Sequence, residues 1–277
     1  MKPTTREFLA SHVASRSRPA IVHIAQSDLE TQAAEELKTS GITMLGELLT
    51  SAQCAELREY FKQHEVFDPY RKELPRFQPM DVKGKHPDAH VAHHSAKDIL
   101  QAPYLADLAN DPRILAIVSR FLGCRPTIGY LATWWSYATE KGAQEAEFFH
   151  RDVDDWKFVK LFVYLSDVGE SSGPHIYVRN SSNKNKLAEI RRFSDREVAD
   201  TFGEENILRL KANAGQGFLE DTFGIHKGQP VAKGTRLIFQ AVYGLSPLPY
   251  GPRSPIMSKQ ELNRPGFDAW VNRIYVS

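Results

Sequence analysis

The sequence has few of the features that mark secreted, membrane-embedded or nucleic-acid-binding proteins. It contains two cysteines, Cys54 and Cys124, which lie far apart and outside any C-x-x-C pattern, as is typical of reduced thiols in a cytosolic protein. Its longest apolar runs, such as RLIFQAVYGL, are far too short to span a bilayer. The formal net charge of +1 gives no basic surplus for nucleic acid. We therefore expect a cytoplasmic protein that binds neither membranes nor nucleic acid.

The length of 277 residues allows one large β-rich domain or two small ones, and we favour a single domain over 1–277. The first 26 residues lack the apolar region of a signal peptide, although their serines and arginines give them a faint likeness to a transit peptide. The sequence contains no internal repeat and does not indicate the oligomeric state.

Helical patterns dominate residues 1–124. The segment SDLETQAAEELKTSG begins at a Ser27 or Asp28 cap and ends at Gly41, and TSAQCAELREYFKQH follows with apolar residues at helical spacing. Between them, GITMLGELL has the pattern of a short edge strand. A later helix, DPRILAIVSRFLG, begins with an aspartate cap followed by proline and ends at glycine. These elements predict a helical layer that packs on another part of the chain.

Residues 66–95 change character and show no clear period. The stretch FDPYRKELPRFQPMDVKGKHPDAHVAHHS is rich in proline, charge and histidine. An irregular stretch of this length inside a domain is usually an active-site lid or a disordered segment. Its histidines fit no standard zinc spacing, so we favour a solvated or substrate-facing loop over a metal site. These histidines are His86, His90, His93 and His94.

From residue 125 onward the pattern changes to short strands that are rich in aromatic and β-branched residues. They are TIGYLATWWSYAT, EAEFFHRD, KFVKLFVYLSDV, PHIYV, ILRLKA, GQGFLEDTF and TRLIFQAVYG, interrupted by one helix, SDREVADTFG. Helices followed by a run of strands predict a mainly β protein, a sandwich or barrel with flanking helices. We place the β core at 125–245, the helical layer and lid loop at 1–124, and a C-terminal segment at 246–277.

Polar residues at the end of an apolar run give the first functional signal. In EAEFFHRDVDDWKFVKLFVYL, two apolar residues run into His150, and Asp152 follows two positions later. Residues i and i+2 of a strand point to the same side, so both side chains reach into one space. Asp154 would share that face, but a ligand pair two residues apart chelates with the least strain, which favours Asp152. Polar groups against a core must be paired or bound, and a metal ion is one answer.

A third ligand should come from a distant strand. His226 is the best candidate, because it lies between two predicted strands in EDTFGIHKGQPVAKGTRLIF. Arg236 follows ten residues later inside an apolar strand, where an arginine is costly to bury without an anion. Two histidines and one carboxylate form the facial triad of non-heme Fe(II) oxygenases, which leaves coordination positions open. The arginine would supply a bidentate clamp for a carboxylate.

These four elements in order resemble the phytanoyl-CoA dioxygenase family of Fe(II)/2-oxoglutarate-dependent dioxygenases. The stretch KLFVYLSDVGESSGPHIYVRNSSN is similar to the passage that follows the first metal ligands in that family. The resemblance covers roughly residues 125–245, and the N-terminal helices fit the family less specifically.

The resemblance implies a double-stranded β-helix, a cupin-like jelly roll, with His150, Asp152 and His226 as ligands of Fe(II). It also implies 2-oxoglutarate and O2 as cosubstrates, with decarboxylation to succinate and with Arg236 holding the 2-oxoglutarate. The substrate would be a small molecule or a carrier-linked group, oxidised by hydroxylation, desaturation or cyclisation.

Two positions bear on how far the resemblance extends. The family often has Pro-Gly-Ser-His where this chain has Arg179, Asn180, Ser181 and Ser182, so the contacts of that loop are in question. The carboxylate of Asp152 argues against the halogenating branch, where a small residue leaves room for chloride.

Periodicity suggests further residues of the cofactor pocket. Phe162 and Lys160 share one face of their strand, and a lysine among aromatic residues is either a snorkelling edge residue or a pocket residue. Trp134 and Trp135 are adjacent, so one of them faces inward. We assign Phe162, Lys160 and Trp134 to the cofactor pocket and interpret His175 as a hydrogen-bonded core histidine.

Two other function classes stay open from the sequence. One is a metal-dependent β-helix enzyme that needs no 2-oxoglutarate, such as an isomerase or another dioxygenase, in which Arg236 would bind no keto acid. The other is a non-catalytic binding module, against which the intact ligand set counts.

Overall fold

Strands whose side chains alternate between two buried faces form the core of the computed structural model, which describes residues 3–20 and 28–277. The strands are β1 (Ile42–Glu47), β2 (Val91–His93), β3 (Thr127–Tyr137), β4 (Phe158–Tyr164), β5 (His175–Val178), β6 (Ile207–Leu210), β7 (Gln216–Glu220), β8 (His226–Gly228) and β9 (Thr235–Gly244). The helices are α1 (Pro3–Ser15), α2 (Asp28–Ser40), α3 (Ser51–Lys62), α4 (Val82–Lys85), α5 (Ala96–Gln101), α6 (Leu105–Ala109), α7 (Pro112–Leu122), α8 (Asp195–Phe202) and α9 (Lys259–Leu262).

The strands form two antiparallel sheets. The larger sheet has six strands in the order β1-β7-β4-β9-β3-β2, and the smaller sheet has three in the order β6-β5-β8. Apolar side chains of both sheets, including Phe162, Tyr177 and Leu210, pack together between them. This is the jelly-roll core, with flanking helices, that the sequence predicts.

Strand β4 shows how the core is layered. Phe162 and Tyr164 face the smaller sheet, whereas Val159, Leu161 and Val163 pack on the opposite side against the helical layer. All seven residues of β4 are buried, which explains why the strand has an almost continuous apolar sequence.

The helical layer agrees closely with the sequence patterns. The Asp111 side chain accepts hydrogen bonds from the first amides of α7, and Gly123 ends the helix with φ of 80°. Helix α2 begins at Asp28, while the alternative cap Ser27 lies outside the described residues. Strand β1 lies at an edge of the larger sheet, as predicted. None of the helices within 3–20 and 28–277 is long and apolar enough to cross a membrane.

Two segments differ from the sequence-based expectation. Residues 66–95 are ordered by single-residue bridges, by α4 and by β2, which pairs with β3. Three histidines of this segment, His86, His90 and His94, are buried, so it is not a solvated loop. The segment 145–152 is not a strand: it begins with a 3-10 turn and continues as extended chain held by isolated bridges. Such bridges join residues that are distant in sequence, so no local pattern in the sequence predicts them.

Candidate metal centre

The three predicted ligands lie together at one end of the space between the sheets. His150 pairs with His226 through an antiparallel bridge, and the amide of Asp152 donates to the carbonyl of Thr222 at 2.9 Å. One potential ligand atom from each of His150, Asp152 and His226 lies within 4.8 Å of the others. Backbone pairing between two distant parts of the chain therefore assembles the cluster.

Each imidazole is oriented by a hydrogen bond to the backbone carbonyl two residues earlier in the chain. The Nδ1 atom of His150 donates to the Phe148 carbonyl at 2.9 Å, and that of His226 donates to the Gly224 carbonyl at 3.0 Å. These bonds leave both Nε2 atoms directed at Asp152, at 3.4 Å and 3.3 Å from its carboxylate oxygens. A backbone acceptor at the second ring nitrogen is the usual support of a metal-binding histidine.

Charge is concentrated on Asp152. The ammonium of Lys160 donates to Asp152 Oδ2 at 2.7 Å. Burial raises the pKa of Asp152, but Lys160 and His226 outweigh it and hold that pKa well below its usual value. Burial lowers the pKa of Lys160, yet Asp152 and Asp154 raise it further, so the net shift is upward. The centre therefore contains a fully ionised carboxylate beside a fixed ammonium.

The second candidate carboxylate lies outside the ligand cluster. Asp154 Oδ2 contacts the Lys160 ammonium at 2.9 Å and forms no ion pair with either histidine. The donor set that faces one point is thus two imidazole nitrogens and one carboxylate, which suits Fe(II).

Arg236 lies in the same cavity and has few partners of its own. Its side chain is 5% exposed, and one terminal nitrogen donates to Ser136 Oγ at 3.0 Å. The other two nitrogens, Nε and Nη1, have no hydrogen-bond partner among the described residues. Burial lowers the pKa of Arg236, but a guanidinium stays protonated in proteins. Arg236 is therefore a buried cation whose Nε and Nη1 atoms can donate hydrogen bonds to an anion in the cavity.

A cavity of about 220 Å³ joins the three candidate ligands to Arg236. Trp134, Phe162 and Lys160 all line it, whereas Trp135 faces the helical layer and donates from its indole nitrogen to His94. The inward tryptophan of the pair is therefore Trp134, which stacks on His93 with ring centroids 5.4 Å apart.

Several residues of the cavity were not identified from the sequence. Ser136 lies opposite Arg236 in the β3–β9 register, and Tyr70 and Glu147 line the cavity from the preceding segments. Strand parity could have indicated Ser136, since it shares the face of Trp134. Tyr70 and Glu147 come from irregular segments that give no such signal.

His175 is a partnered histidine, as predicted, and it also lines the cavity. Its Nε2 atom lies 3.0 Å from a carboxyl oxygen of Glu220, which is fully buried. Burial raises the pKa of Glu220 to about 8 and holds the pKa of His175 well below its usual value. The pair is therefore uncharged at neutral pH, and the His175 ring stacks on His226 at 5.6 Å.

The loop 179–182 contacts the segment that leads into His226. Ser181 Oγ accepts from the amide of Ile225 at 2.7 Å. Arg151, between the first two candidate ligands, donates to the carbonyls of Ser181 and Phe223. The loop thus supports the metal centre although its sequence departs from the family pattern.

Comparisons with known proteins agree with this geometry at the level of the fold. No family model and no curated protein matches the sequence. Among solved structures, EctD from S. alaskensis with bound Fe is similar, with 18% identity, 82% of each chain covered and a TM-score of 0.54. HygX from Streptomyces hygroscopicus, with nickel and 2-oxoglutarate bound, is 17% identical over 91% of this chain and 100% of its own, with a TM-score of 0.53.

The non-heme alpha ketoglutarate dependent carbocyclase SnoK from nogalamycin biosynthesis is 15% identical over 79% of this chain and 84% of its own, with a TM-score of 0.53. A second HygX structure, with a TM-score of 0.51, holds hygromycin B as well as nickel and 2-oxoglutarate. The chain therefore shares its fold with structures of iron- and 2-oxoglutarate-dependent oxygenases, and its His-Asp-His cluster fits an iron site.

Proposed function

We propose that the protein is a single-domain Fe(II)- and 2-oxoglutarate-dependent oxygenase that oxidises a small-molecule substrate. One observation carries the proposal: a buried guanidinium, two of whose nitrogens have no partner within residues 3–20 and 28–277, shares a cavity with a His-Asp-His cluster. A metal site alone would suit many enzymes, and an arginine alone would suit many anions. Together they match a cosubstrate that chelates a metal at one end and carries a carboxylate at the other.

His150, Asp152 and His226 would hold the iron in this proposal. Bound Fe(II) and 2-oxoglutarate supply an O2-dependent oxidation of a substrate carbon, with conversion of 2-oxoglutarate to succinate and carbon dioxide. Arg236 binds the distal carboxylate of 2-oxoglutarate through its free nitrogens, because an unpaired buried charge costs several kcal/mol, on the order of 3–5. The planar fork of the guanidinium also fixes the orientation of that carboxylate.

Aromatic side chains form part of the cavity wall. Trp134 and Phe162 both line the cavity and supply apolar surface to it. Phe162 is packed on His175 and Phe218, so this wall has little freedom to move. Apolar walls lower the local dielectric constant and strengthen the charged contacts beside them.

The structurally similar proteins support a small molecule as the substrate class. HygX, which shares this fold, holds the small molecule hygromycin B together with nickel and 2-oxoglutarate, and this supports a small-molecule substrate. We propose a free or carrier-linked small molecule, oxidised by hydroxylation, desaturation or cyclisation, in the cytoplasm.

Succinate release tests the proposal directly. The purified protein is supplied with Fe(II), 2-oxoglutarate and O2 across a panel of small molecules, with and without a metal chelator. We expect succinate above background with at least one substrate, and none with the chelator or with Asp152→Ala. Substrate oxidation that proceeds without 2-oxoglutarate would instead favour the 2-oxoglutarate-independent class of metal enzyme.

A further inference from the structure

We propose that Lys160 is a positioning residue that restricts Asp152 to binding the metal through one carboxylate oxygen. This inference rests on the proposed function. Its consequence would be chemical: if Asp152 gives the metal only one oxygen, the three candidate ligands would leave room at the metal for 2-oxoglutarate and O2. A second oxygen from Asp152 would take up part of that room.

The ion pairs of Lys160 are the first support. Its ammonium lies 2.7 Å from Asp152 Oδ2 and 2.9 Å from Asp154 Oδ2, and the side chain is 10% exposed. The remaining oxygen of Asp152, Oδ1, is engaged by neither contact and lies 3.4 Å from His150 Nε2. Oδ2 also lies 3.3 Å from His226 Nε2, so the lysine engages one oxygen of Asp152 and leaves Oδ1, which faces His150, without a lysine contact.

The position of Lys160 in the sheet is the second support. It lies in the middle of β4, with cross-strand partners Val242 on β9 and Glu220 on β7. A lysine on a central strand has a fixed Cα, and its ammonium also pairs with Asp154, which is not a member of the ligand cluster. The lysine is thus anchored independently of Asp152, which a residue that orients a ligand requires.

The charge of Lys160 also sets the direction of the expected effect. A fixed ammonium beside the carboxylate repels a metal cation and reduces the charge that Asp152 offers it. Removal of the ammonium should therefore tighten metal binding while it lets the second oxygen of Asp152 take up room at the metal. If Lys160 only stabilised the fold, its replacement would have the opposite effect: weaker metal binding and a lower melting temperature.

Co(II) titration without oxygen separates these possibilities. For Lys160→Met we expect an affinity for Co(II) that is higher by about tenfold or more, the scale of changes next to metal ligands. Its ligand-field absorption should weaken, because intensity falls as the coordination number rises. Lys227→Met is the matched control, since Lys227 is equally buried beside His226 but pairs with Asp195 rather than with a ligand. The control should keep the wild-type spectrum and affinity.

An unchanged spectrum and affinity in Lys160→Met, or weaker binding, would overturn the inference. If that variant does not fold, Asp154→Asn carries the test, because it leaves the ammonium less neutralised. Its Co(II) affinity should fall by about threefold, the scale of a partly exposed ion pair, and unchanged affinity would contradict the positioning role. A wild-type protein that binds no Co(II) refutes the metal site itself and with it the proposed function. If the wild type binds Co(II) but the Co(II)-loaded protein does not bind 2-oxoglutarate, the proposed function alone is refuted.

Discussion

His150 and His226 face each other across a backbone bridge in which each amide donates to the other carbonyl at 3.0 Å. Their rings lie 4.3 Å apart between centroids, and Asp152 lies between their Nε2 atoms. The bridge joins two parts of the chain that are 76 residues apart in sequence. The geometry of the candidate metal centre is therefore a property of the backbone pairing between the extended chain at His150 and strand β8.

The first prediction concerns the ligands. Replacement of His150, Asp152 or His226 by alanine should abolish turnover and strongly weaken iron retention, because each removes one of three donors. Asp154→Ala should retain most of the iron, since Asp154 contacts Lys160 rather than the cluster. Iron content after dialysis measures both effects. The assignment is wrong if Asp154→Ala loses the metal and Asp152→Ala keeps it.

The second prediction concerns Arg236. Arg236→Lys keeps a charge but loses the planar fork, so the apparent KM for 2-oxoglutarate should rise by about tenfold or more. Arg236→Ala should raise it further, with nearly unchanged iron content in both variants. The exposed Arg196 provides the control Arg196→Lys, which should behave as wild type. A normal KM in Arg236→Ala would refute the clamp and support the 2-oxoglutarate-independent class.

The third prediction concerns the reaction type. In the proposed centre Asp152 would supply the carboxylate ligand, so no ligand position would be vacated for chloride. We expect oxygenated, desaturated or cyclised products even at high chloride concentration. Mass spectrometry of the products provides the measurement, and a chlorinated product would contradict the assignment.

The fourth prediction concerns acid stability. His94 is buried and accepts a hydrogen bond from the Trp135 indole at 3.1 Å. Burial, assisted by His64 and His93, lowers its pKa from 6.5 to about 3. As the pH falls below 6.5 the unfolded chain takes up this proton first, so the folded state loses stability between pH 6.5 and about 3. Above that window His94 is neutral in both the folded and the unfolded state and makes no pH-dependent contribution to stability.

The magnitude of the fourth effect can be measured by denaturant unfolding. Between pH 7 and pH 5, His94 should cost about 2 kcal/mol of unfolding free energy. His94→Gln keeps an acceptor for Trp135 but does not titrate, so its loss over the same interval should be smaller by about that amount. His12→Gln, at an exposed position of α1, should lose as much stability as wild type. An equal loss in His94→Gln would show that another group causes the acid sensitivity.

The sequence contains much of the fold because its local patterns are strong. The alternation along β4 places Lys160 and Phe162 on the inner face, and both line the cavity. The i and i+2 spacing brings His150 and Asp152 to one point, even though the segment is extended chain rather than a strand. Features that depend on side-chain parity could therefore be predicted.

Other features of the site depend on register between distant strands. Glu220 meets His175 because β5 and β7 lie in different sheets that face each other, a relationship no local pattern contains. Lys160 was assigned to the cofactor pocket from strand parity; it lines the cavity, but no local pattern contains the pairing of its ammonium with Asp152 and Asp154. Segment 66–95 was expected to be an irregular loop, but the internal bridges Val66–Phe77 and Phe67–His93 and the burial of three of its histidines order it. A lid role for the segment stays a prediction.

Anaerobic binding of 2-oxoglutarate is the measurement that tests the central claim most directly. Calorimetric titration should show one equivalent bound to the Fe(II)-loaded wild type, with affinity greatly reduced without metal, in Asp152→Ala and in Arg236→Ala. Dependence on both ends of the cavity is what a metal chelate with a carboxylate clamp predicts. Binding that is absent from the metal-loaded wild type, or that is indifferent to Asp152 and Arg236, would contradict the account.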